Sequence, residues 1–244
     1  MRMADRIEVR ITGVLTALTV TSGMVDAVSF LGLGHAFAAL ATGNLLLLAF
    51  GIGGSEGLPI GRPALALAGF VAGAAAAHLM VSRRLARRRR WFVVGMSVES
   101  TLLLAAGGYA VATAGHGGTL QGSHATTVFV LLTFAMGWRS RVILQAGIPE
   151  MPTTLAQTTL VKLVADVASP RSARTAGTPG SLTRLQRLAT VLGMFAGGLL
   201  GAVALPLGLG VVLLGVGSAV ALTALVYSRS PQLHRPAPEG LGHG

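Results

Sequence analysis

Six long apolar stretches constrain the fold of this chain more than any other feature. A helix needs about 20 mostly apolar residues to cross the hydrocarbon core of a bilayer. Stretches of this length span residues 11–33, 63–82, 91–114, 126–147, 188–207 and 208–227. Only 11% of the 244 residues are charged, whereas a soluble domain carries about 25%. The sequence therefore predicts an all-α integral membrane protein and argues against a soluble globular enzyme.

Two shorter apolar segments, 36–54 and 152–168, leave six or eight crossings open. Lys and Arg concentrate in the cytoplasmic loops of membrane proteins. If both segments enter and leave on one side, 18 of the 19 basic residues share the side of the termini, and only Arg62 lies opposite. Eight crossings that keep the arginines of 83–90 cytoplasmic would place the termini and the loop at 169–187 outside, and only about 8 basic residues would then be cytoplasmic. The charges favour six transmembrane helices plus two re-entrant or broken helical segments, with both termini cytoplasmic.

The two halves of the chain resemble each other. Matching residues recur at intervals of 114, 115 or 124 positions, pairing Gly23 with Gly137, Leu40 with Leu155, Gly69 with Gly193, and Gly73 with Gly197. Each half holds three predicted crossings, and an odd number makes duplicated halves inverted relative to each other. The sequence therefore predicts an inverted 3+3 repeat.

The chain also divides by composition. Its segments are a first membrane half at 1–90 completed by 91–114, central crossings and a second broken segment at 91–168, a flexible loop at 169–187, two last crossings at 188–228, and a disordered tail at 229–244. Six arginines lie within 83–90. Between two crossings such a cluster fixes topology and contacts anionic lipid headgroups, and we expect it to bind no nucleic acid.

One run carries a family resemblance. Residues 23–37, with Gly23, Asp26 and Phe37 in the matching places, are followed by Thr42-Gly43-Asn44. This resembles the pattern G-x-V-D-A-x-S-F-L-x-L-G-x-x-F…T-G-N of the YoaK-type bacterial membrane proteins of unknown function. Glu99 matches a glutamate typical of that family, which commonly has Gln-Asn-Ala where this chain has Trp138-Arg139-Ser140. The resemblance implies a multi-pass protein of the bacterial cytoplasmic membrane, and it implies no particular activity.

A polar stripe follows one face of the first predicted helix. Its members recur every three or four residues and are Thr12, Thr16, Thr19, Ser22, Asp26 and Ser29. An aspartate inside a span is costly and usually marks a functional site. We therefore take Asp26, with Ser22 and Ser29, as a candidate substrate- or ion-binding set. The alternative is a structural seam, in which the hydroxyls bond their own helix and its neighbours.

Glu99 is a second carboxylate inside a predicted span. A carboxylate in the bilayer needs a proton, a cation or a basic partner. Arg139 and Arg141 lie at a similar depth in the next span and are candidate charge partners. Two interpretations stay open: a structural pair that locks two helices, or a proton- or cation-coupled carboxylate.

Thr42, Gly43 and Asn44 interrupt an apolar segment. Glycine permits unusual backbone angles, and Thr and Asn can satisfy freed peptide groups or contact a ligand. Because broken backbone at membrane depth must face protein or a water-filled cavity, we expect these three residues to line a midplane cavity.

Small residues at intervals of four predict close helix packing. They are Gly69, Gly73, Gly193, Gly197 and Gly201. Packing is the expected role for all five.

The sequence lacks the motifs of several classes of metal, nucleotide and enzyme chemistry. The chain has no cysteine, no Walker A motif and no histidine with metal-ligand spacing, so we expect no metal, no cofactor and no enzyme activity. The favoured function is a permease or secondary transporter of an unidentified small solute, coupled through Asp26 and Glu99, in which one half moves against the other. A passive channel or a non-transporting membrane scaffold are the alternatives, and association with a second copy is left open.

Overall fold

A computed structural model describes residues 3–55, 57, 60–80, 91–114, 120–145 and 181–228, and this part of the chain is helical without strands. The arginine cluster at 83–90, the predicted broken segment at 152–168, most of the loop at 169–187 and the tail at 229–244 lie outside the described residues.

Seven α-helices make up the described part. They are α1 (Met3–Gly32), α2 (Ala41–Ile52), α3 (Gly61–Met80), α4 (Trp91–Thr113), α5 (Gly122–Gln145), α6 (Ser181–Ala204) and α7 (Leu209–Ser228), with a short 3-10 turn at Leu205–Leu207. All except α2 contain a stretch long and apolar enough to cross a membrane. The prediction of an all-α protein with six membrane spans is therefore confirmed.

Four helices begin earlier than the apolar stretches indicate, since α1 begins at Met3, eight residues before its predicted span, and α3 begins at Gly61, two residues before its own. α5 begins at Gly122, four residues before its predicted span, and α6 begins at Ser181, inside the predicted flexible loop at 169–187. A helix can continue past the hydrocarbon core because its polar first turns lie among the headgroups. Apolarity therefore locates the span and not the helix end.

The segment at 36–54 does not cross the bilayer. α2 has 12 residues, about 18 Å of helix at 1.5 Å per residue, which is too short for a core of about 30 Å. Thr42-Gly43-Asn44 lies within the first turn of this helix, so the expectation of a break at these residues is wrong. The break lies upstream at 33–40, where Gly34 (φ 112°) and His35 (φ 58°) adopt left-handed backbone that returns the chain toward α1.

Glycine contacts fix the relative directions of the spans. α1 runs parallel to α6 because Gly193, Gly197 and Gly201 approach successively later residues of α1. α3 is parallel to α5 by the same criterion, whereas α4 is antiparallel to both α5 and α7. Three spans therefore point each way, and the ends that adjoin 81–90 and 146–180 lie on the same face as the start of α1 and the end of α7.

The closest helix pairs combine different halves of the sequence. α1 packs most extensively on α6, α3 on α5, and α4 on α7. α4 also packs on α5, and α1 on α7, whereas α1 and α5 meet over only a short stretch. We call α1, α6 and α7 lobe I, and α3, α4 and α5 lobe II. The two lobes are joined mainly where α4 contacts α7, and α2 with the segment 33–40 links α1 of lobe I to α3 of lobe II.

Backbone lies against backbone in the α1–α6 and α3–α5 pairs. A Cβ atom at Gly73 would contact the backbone of Phe134, and one at Gly137 would contact the backbone of Phe70. The α1–α6 pair repeats this arrangement, since a Cβ atom at Gly197 would meet Val20. Glycine is required at these positions because the neighbouring atoms are main-chain atoms that cannot rotate away.

The two pairs also share one register. Gly73 precedes Gly197 by 124 residues, and their contact partners Phe134 and Val20 are 114 residues apart, the interval that also separates Gly137 from Gly23. A Cβ atom at Gly23 would meet the carbonyl oxygen of α6 residue 194 at 2.5 Å, just as one at Gly137 would meet the carbonyl oxygen of Phe70, which lies 124 positions earlier than residue 194. α1–α6 thus repeats the packing of α5–α3 at these two pairs of glycine contacts.

The outer surface of the bundle is apolar. Large exposed side chains include Val71 of α3, Phe195 and Val203 of α6, and Leu222 of α7. In helices that span a membrane these residues contact the acyl chains of the lipid bilayer.

The glycine contacts generate a stability prediction. Gly73→Ala and Gly197→Ala should each lower the free energy of unfolding by about 1–3 kcal/mol, because the new methyl group overlaps main-chain atoms. Gly108→Ala and Gly215→Ala are matched controls, since a Cβ atom at either site has no neighbour within 4 Å. Thermal unfolding of the purified protein in detergent measures the difference. Equal melting temperatures for all four variants would contradict the backbone packing.

Candidate functional site

Three charged side chains are buried inside the spans of the described chain. The exposed fraction is 5% for Asp26, 0% for Glu99 and 1% for Arg139. They come from α1, α4 and α5 respectively. Charges at such depth must be paired or bound because the hydrocarbon core offers no solvation.

Arg139 joins three helices. Its Nε donates to Glu99 Oε1 of α4 at 2.5 Å, and its Nη2 also contacts that oxygen. Its Nη1 donates to the Leu18 carbonyl oxygen at 2.8 Å and to Ser22 Oγ at 2.7 Å, both on α1. The guanidinium fork supplies several donors in one plane, which suits it to hold a carboxylate and a neighbouring helix together. The pair with Glu99 lies within lobe II, and the two bonds to α1 connect lobe II to lobe I.

Trp138 supports the same junction. Its indole Nε1 donates to the Gly95 carbonyl oxygen of α4 at 2.9 Å, one turn below Glu99. A Cβ atom at Gly95 would lie 2.8 Å from Val142 of α5, so the glycine permits the close contact of α4 with α5. The contacts that Trp138 and Val142 make with Gly95 therefore fix the depth of Arg139 against Glu99 from one turn below the ion pair.

Arg141 has different partners. Its Nε and Nη2 lie 3.3 and 3.1 Å from His78 Nδ1 of α3, and its Nη1 donates to Gln145 Oε1 at 2.8 Å. Of the two candidate charge partners, the structure places Arg139 against Glu99 and Arg141 against these two residues at the helix ends.

Asp26 contacts the non-helical segment that follows α1. Its Oδ1 accepts the Ala39 N–H at 2.7 Å. Ser29 Oγ accepts the Ala38 N–H at 3.0 Å and donates to the Asp26 carbonyl oxygen at 3.1 Å. Side chains of α1 thus satisfy consecutive peptide groups of the segment, as backbone outside a helix requires within a membrane.

Asn44 completes this arrangement from α2. Its Oδ1 accepts the Phe37 N–H at 2.9 Å, and its Nδ2 donates to the Phe37 carbonyl oxygen at 2.6 Å. One amide therefore satisfies both polar groups of one peptide residue. Gly43 packs beneath it against the side chains of Phe37 and Leu40, whereas Thr42 is exposed outside the cluster.

The two clusters adjoin on α1. Ser22 and Asp26 are four residues apart, about 6 Å along the helix axis and on one face. The structure therefore brings together Ser22, Asp26, Ser29, Asn44, Glu99 and Arg139. The five packing glycines Gly69, Gly73, Gly193, Gly197 and Gly201 lie in the α3–α5 and α1–α6 contacts instead.

The three threonines of the polar stripe bond α1 itself or its neighbour α6, where Gln186 Nε2 donates to Thr12 Oγ1 at 3.0 Å. Thr16 Oγ1 donates to the Thr12 carbonyl oxygen at 2.8 Å, and Thr19 Oγ1 donates to the Leu15 carbonyl oxygen at 2.9 Å. The seam interpretation thus describes this lower part of the stripe. Sequence reasoning missed the main-chain members of the site, such as the Leu18 carbonyl and the Ala39 N–H, because backbone groups leave no mark in side-chain patterns.

Asp26 and Glu99 each have one carboxylate oxygen that accepts no hydrogen bond in the described part of the chain. Among the described residues, Asp26 Oδ2 and Glu99 Oε2 are buried without a hydrogen-bond partner. Carboxylate oxygens can take a proton, a cation or a hydrogen-bond donor of a solute. No group of three metal-ligating side chains occurs in the residues that were described, so this chemistry rests on single oxygens.

Known proteins resemble the chain over most of its length. Residues 14–227 match the profile of a family described as "protein of unknown function (DUF1275)". The chain is also similar to the UPF0700 transmembrane protein YoaK of Bacillus subtilis (strain 168), with 29% identity over 157 residues. That alignment covers 63% of this chain and 66% of the Bacillus protein, slightly less than two thirds of its length. No solved structure matches the chain significantly.

The buried ion pair generates a second stability prediction. Glu99→Gln or Arg139→Gln alone should each cost about 3–5 kcal/mol of unfolding free energy, because either change leaves the partner charged and unpaired. The double variant should cost clearly less than the sum of the two, as measured by a double-mutant cycle on unfolding in detergent. Arg141→Gln is the control, with an expected effect of about 1 kcal/mol or less. Strict additivity of the two changes would show that the pair does not couple.

Proposed function

The chain belongs to the family of unknown function DUF1275, and within that family we propose that it is a permease or secondary transporter of a small solute. One observation carries the proposal: a buried charged cluster lies where lobe II contacts lobe I. Arg139 and Glu99 belong to lobe II, and the Leu18 carbonyl and Ser22 belong to lobe I. Transporters bind substrate and coupling ions near the midplane, between structural repeats.

The shared register of the two helix pairs supports this proposal. α1–α6 and α5–α3 repeat the same glycine contacts, while their members run in opposite directions through the bundle. Such a relation is expected of an inverted repeat, the architecture of many secondary transporters. Because the sequence halves interleave, the proposed moving units are lobe I and lobe II rather than residues 1–114 and 122–228.

Each polar residue has a proposed role. Asp26 and Glu99 bind the coupling proton, a cation or a cationic group of the solute through their free oxygens. Ser22 offers a hydroxyl once Arg139 releases it. Asn44 and Ser29, with Gly43 packed beneath Asn44, hold the segment 36–40 at the rim of the cavity that opens between the lobes, and Thr42 lies outside this cluster. Alternating access follows from making and breaking the two Arg139 bonds to α1.

We further propose that the face bearing the start of α1 and the end of α7 is cytoplasmic. The linking segments 81–90 and 146–180 adjoin this face, and with the termini they contain most of the basic residues of the sequence. Arg62, at the start of α3, belongs to the opposite face. The positive-inside rule then orients the protein in the bacterial cytoplasmic membrane, with the arginines of 83–90 among anionic headgroups.

Transport can be measured on the purified protein in proteoliposomes. We expect a saturable current on a solid-supported membrane for at least one class among amino acids, organic acids, amines and sugars. Asp26→Asn and Glu99→Gln should reduce that current by at least about tenfold, because 1.4 kcal/mol of lost binding at a buried charge already has this effect. Thr223→Ala is the control, since Thr223 is an exposed residue of α7 whose hydroxyl bonds its own helix.

Two results would replace the proposal. A non-saturating conductance that neither substitution changes would identify a passive channel. Indistinguishable currents from protein-containing and empty liposomes across the panel would favour the scaffold alternative.

Cysteine labelling tests the orientation, because the chain has no cysteine of its own. Ser55→Cys and Ser123→Cys lie at exposed positions on one face, and Gln145→Cys lies at the opposite end of α5. A membrane-impermeant maleimide should label the first two in intact spheroplasts and the third only after permeabilisation. The reverse pattern would show that the protein has the opposite orientation in the membrane. Equal labelling of Ser123→Cys and Gln145→Cys would contradict the crossing of the membrane by α5.

A further inference from the structure

The charges of the cluster do not balance. Glu99 and Arg139 are in direct contact and neutralise each other. Asp26 is the remaining charged side chain buried in the described spans. When ionised it would leave one net negative charge inside the bilayer, which is unfavourable in a medium of low dielectric constant.

Main-chain N–H groups of residues 38–40 face the Asp26 carboxylate, but no free basic side chain of the described spans packed on α1 compensates its charge. Arg139 of α5 acts on Asp26 electrostatically from about one helical turn away, but it is already engaged by Glu99 of α4. Residues 188–228, which include the spans of α6 and α7 packed on α1, contain no Asp, Glu, Lys, Arg or His. Beyond the end of α1 lie the titratable or charged side chains of His35, on the segment itself, and of Arg62, beside Gly34.

A proton suits the free oxygen of Asp26 better than a metal ion. Hard metal cations need about six oxygen ligands. Here Asn44 Oδ1 and Ser29 Oγ already accept backbone N–H groups, and Asp26 Oδ1 accepts the Ala39 N–H. Among the side-chain acceptors of Asp26, Ser29 and Asn44, Asp26 Oδ2 is the one without a hydrogen-bond partner in the described part of the chain. One such oxygen can complete a covalent O–H bond but not a coordination shell.

We propose that Asp26 is the proton carrier of the protein and that its protonation controls the link between α1 and the segment 36–40. A proton from water on one side of the membrane bonds to Oδ2, so the carboxylate becomes a neutral acid. The same proton returns to water on the other side when the O–H bond breaks. Glu99, fixed by Arg139, stays ionised throughout. This inference rests on the proposed function, because it names the coupling ion of that transport.

Loss of the charge acts on the Ala39 contact. A hydrogen bond to an ionised acceptor is roughly twice as strong as a neutral one. Protonation therefore weakens the bond from the Ala39 N–H to Asp26 Oδ1 and loosens the segment 36–40 from lobe I. That segment leads through α2 to α3 of lobe II, so the protonation state of one carboxyl reaches the connection between the lobes.

The small number of aspartates makes the carboxyl directly observable. The chain contains three, Asp5, Asp26 and Asp166. Asp5→Asn with Asp166→Asn leaves Asp26 as the single site for aspartate labelled with a heavy isotope at the side-chain carboxyl carbon. Infrared difference spectra of this protein in nanodiscs, recorded over a pH titration, should show one labelled band converting between carboxylate and protonated acid. Glu99→Gln should move that conversion to lower pH, because the freed Arg139 then compensates the charge on Asp26.

Two spectral results would overturn the inference. The labelled band could remain in one form across the whole range over which the protein is folded. The second result uses protein labelled at glutamate instead of aspartate. A glutamate band that titrates and is absent from Glu99→Gln would show that Glu99 takes up the proton. Asp26→Asn produced with the same labelled aspartate serves as the second variant, because it preserves the shape of the side chain and must abolish the aspartate band.

Hydrogen exchange tests the mechanical consequence. Comparing Asp26→Asn with the unsubstituted protein at the same pH cancels the intrinsic pH dependence of amide exchange. The peptide covering 36–40 should exchange on the order of fivefold more slowly in the unsubstituted protein at high pH, and equally fast in both proteins at low pH. A ratio that is the same at both pH values would overturn the proposed control of the link.

These readouts separate the two proposals. If Asp26 titrates but the protein transports no solute, the proposed transport function is wrong and the proton site is supported. If proton-coupled solute transport persists in Asp26→Asn, the proposed proton site is wrong and the transport function is supported.

Discussion

Close approach of helix backbones at glycine is the constraint on which the rest of this structure depends. Inside a bilayer, helices gain little by burying apolar side chains against each other, since lipid tails are equally apolar. Gly73, Gly137 and Gly197 let main chain contact main chain in the α3–α5 and α1–α6 pairs. Gly137 lies two residues before Arg139, so the contact that docks α5 on α3 also fixes the depth at which the guanidinium meets α1 and α4. Packing and polar chemistry are set by the same turns of helix.

The packing repeats within the chain, but the charged site does not. At the 114-residue interval that relates Gly23 to Gly137, Val25 stands where α5 has Arg139, and Ser140 stands where α1 has Asp26. The two lobes therefore share a way of packing while only one of the equivalent positions carries each charge. The described part of the chain therefore has one buried charged centre, which lies where lobe II contacts lobe I.

The sequence predicts the spans well because a helix crosses the hydrocarbon core only if it is long and apolar enough, and both properties can be read from the sequence. It predicts the site residues less completely. Arg139 and Arg141 are equivalent candidates by depth, and only the rotation of α5 about its axis directs the first at Glu99 and the second at His78. Thr42-Gly43-Asn44 looks like a break because it is polar, yet the backbone breaks upstream at Gly34 and His35. Asn44 satisfies the peptide groups of Phe37 within that break. A polar residue in the apolar segment therefore does indicate a nearby break, but the break lies several residues before it.

The contacts of Arg139 also divide by strength in a way that suits a moving part. The pair with Glu99 joins two opposite charges within lobe II, and separating them in a membrane would leave two unpaired ions. The two bonds to α1 involve a neutral hydroxyl and a carbonyl, each worth about 1.5–3 kcal/mol when the donor is charged. Their sum is of the same order as the roughly 5.5 kcal/mol that inverts a two-state population from 1:99 to 99:1. Binding of a solute or ion can supply that much. In the proposed transport cycle, the inter-lobe bonds are therefore the part of the cluster that opens and closes, while the ion pair moves with lobe II as a unit.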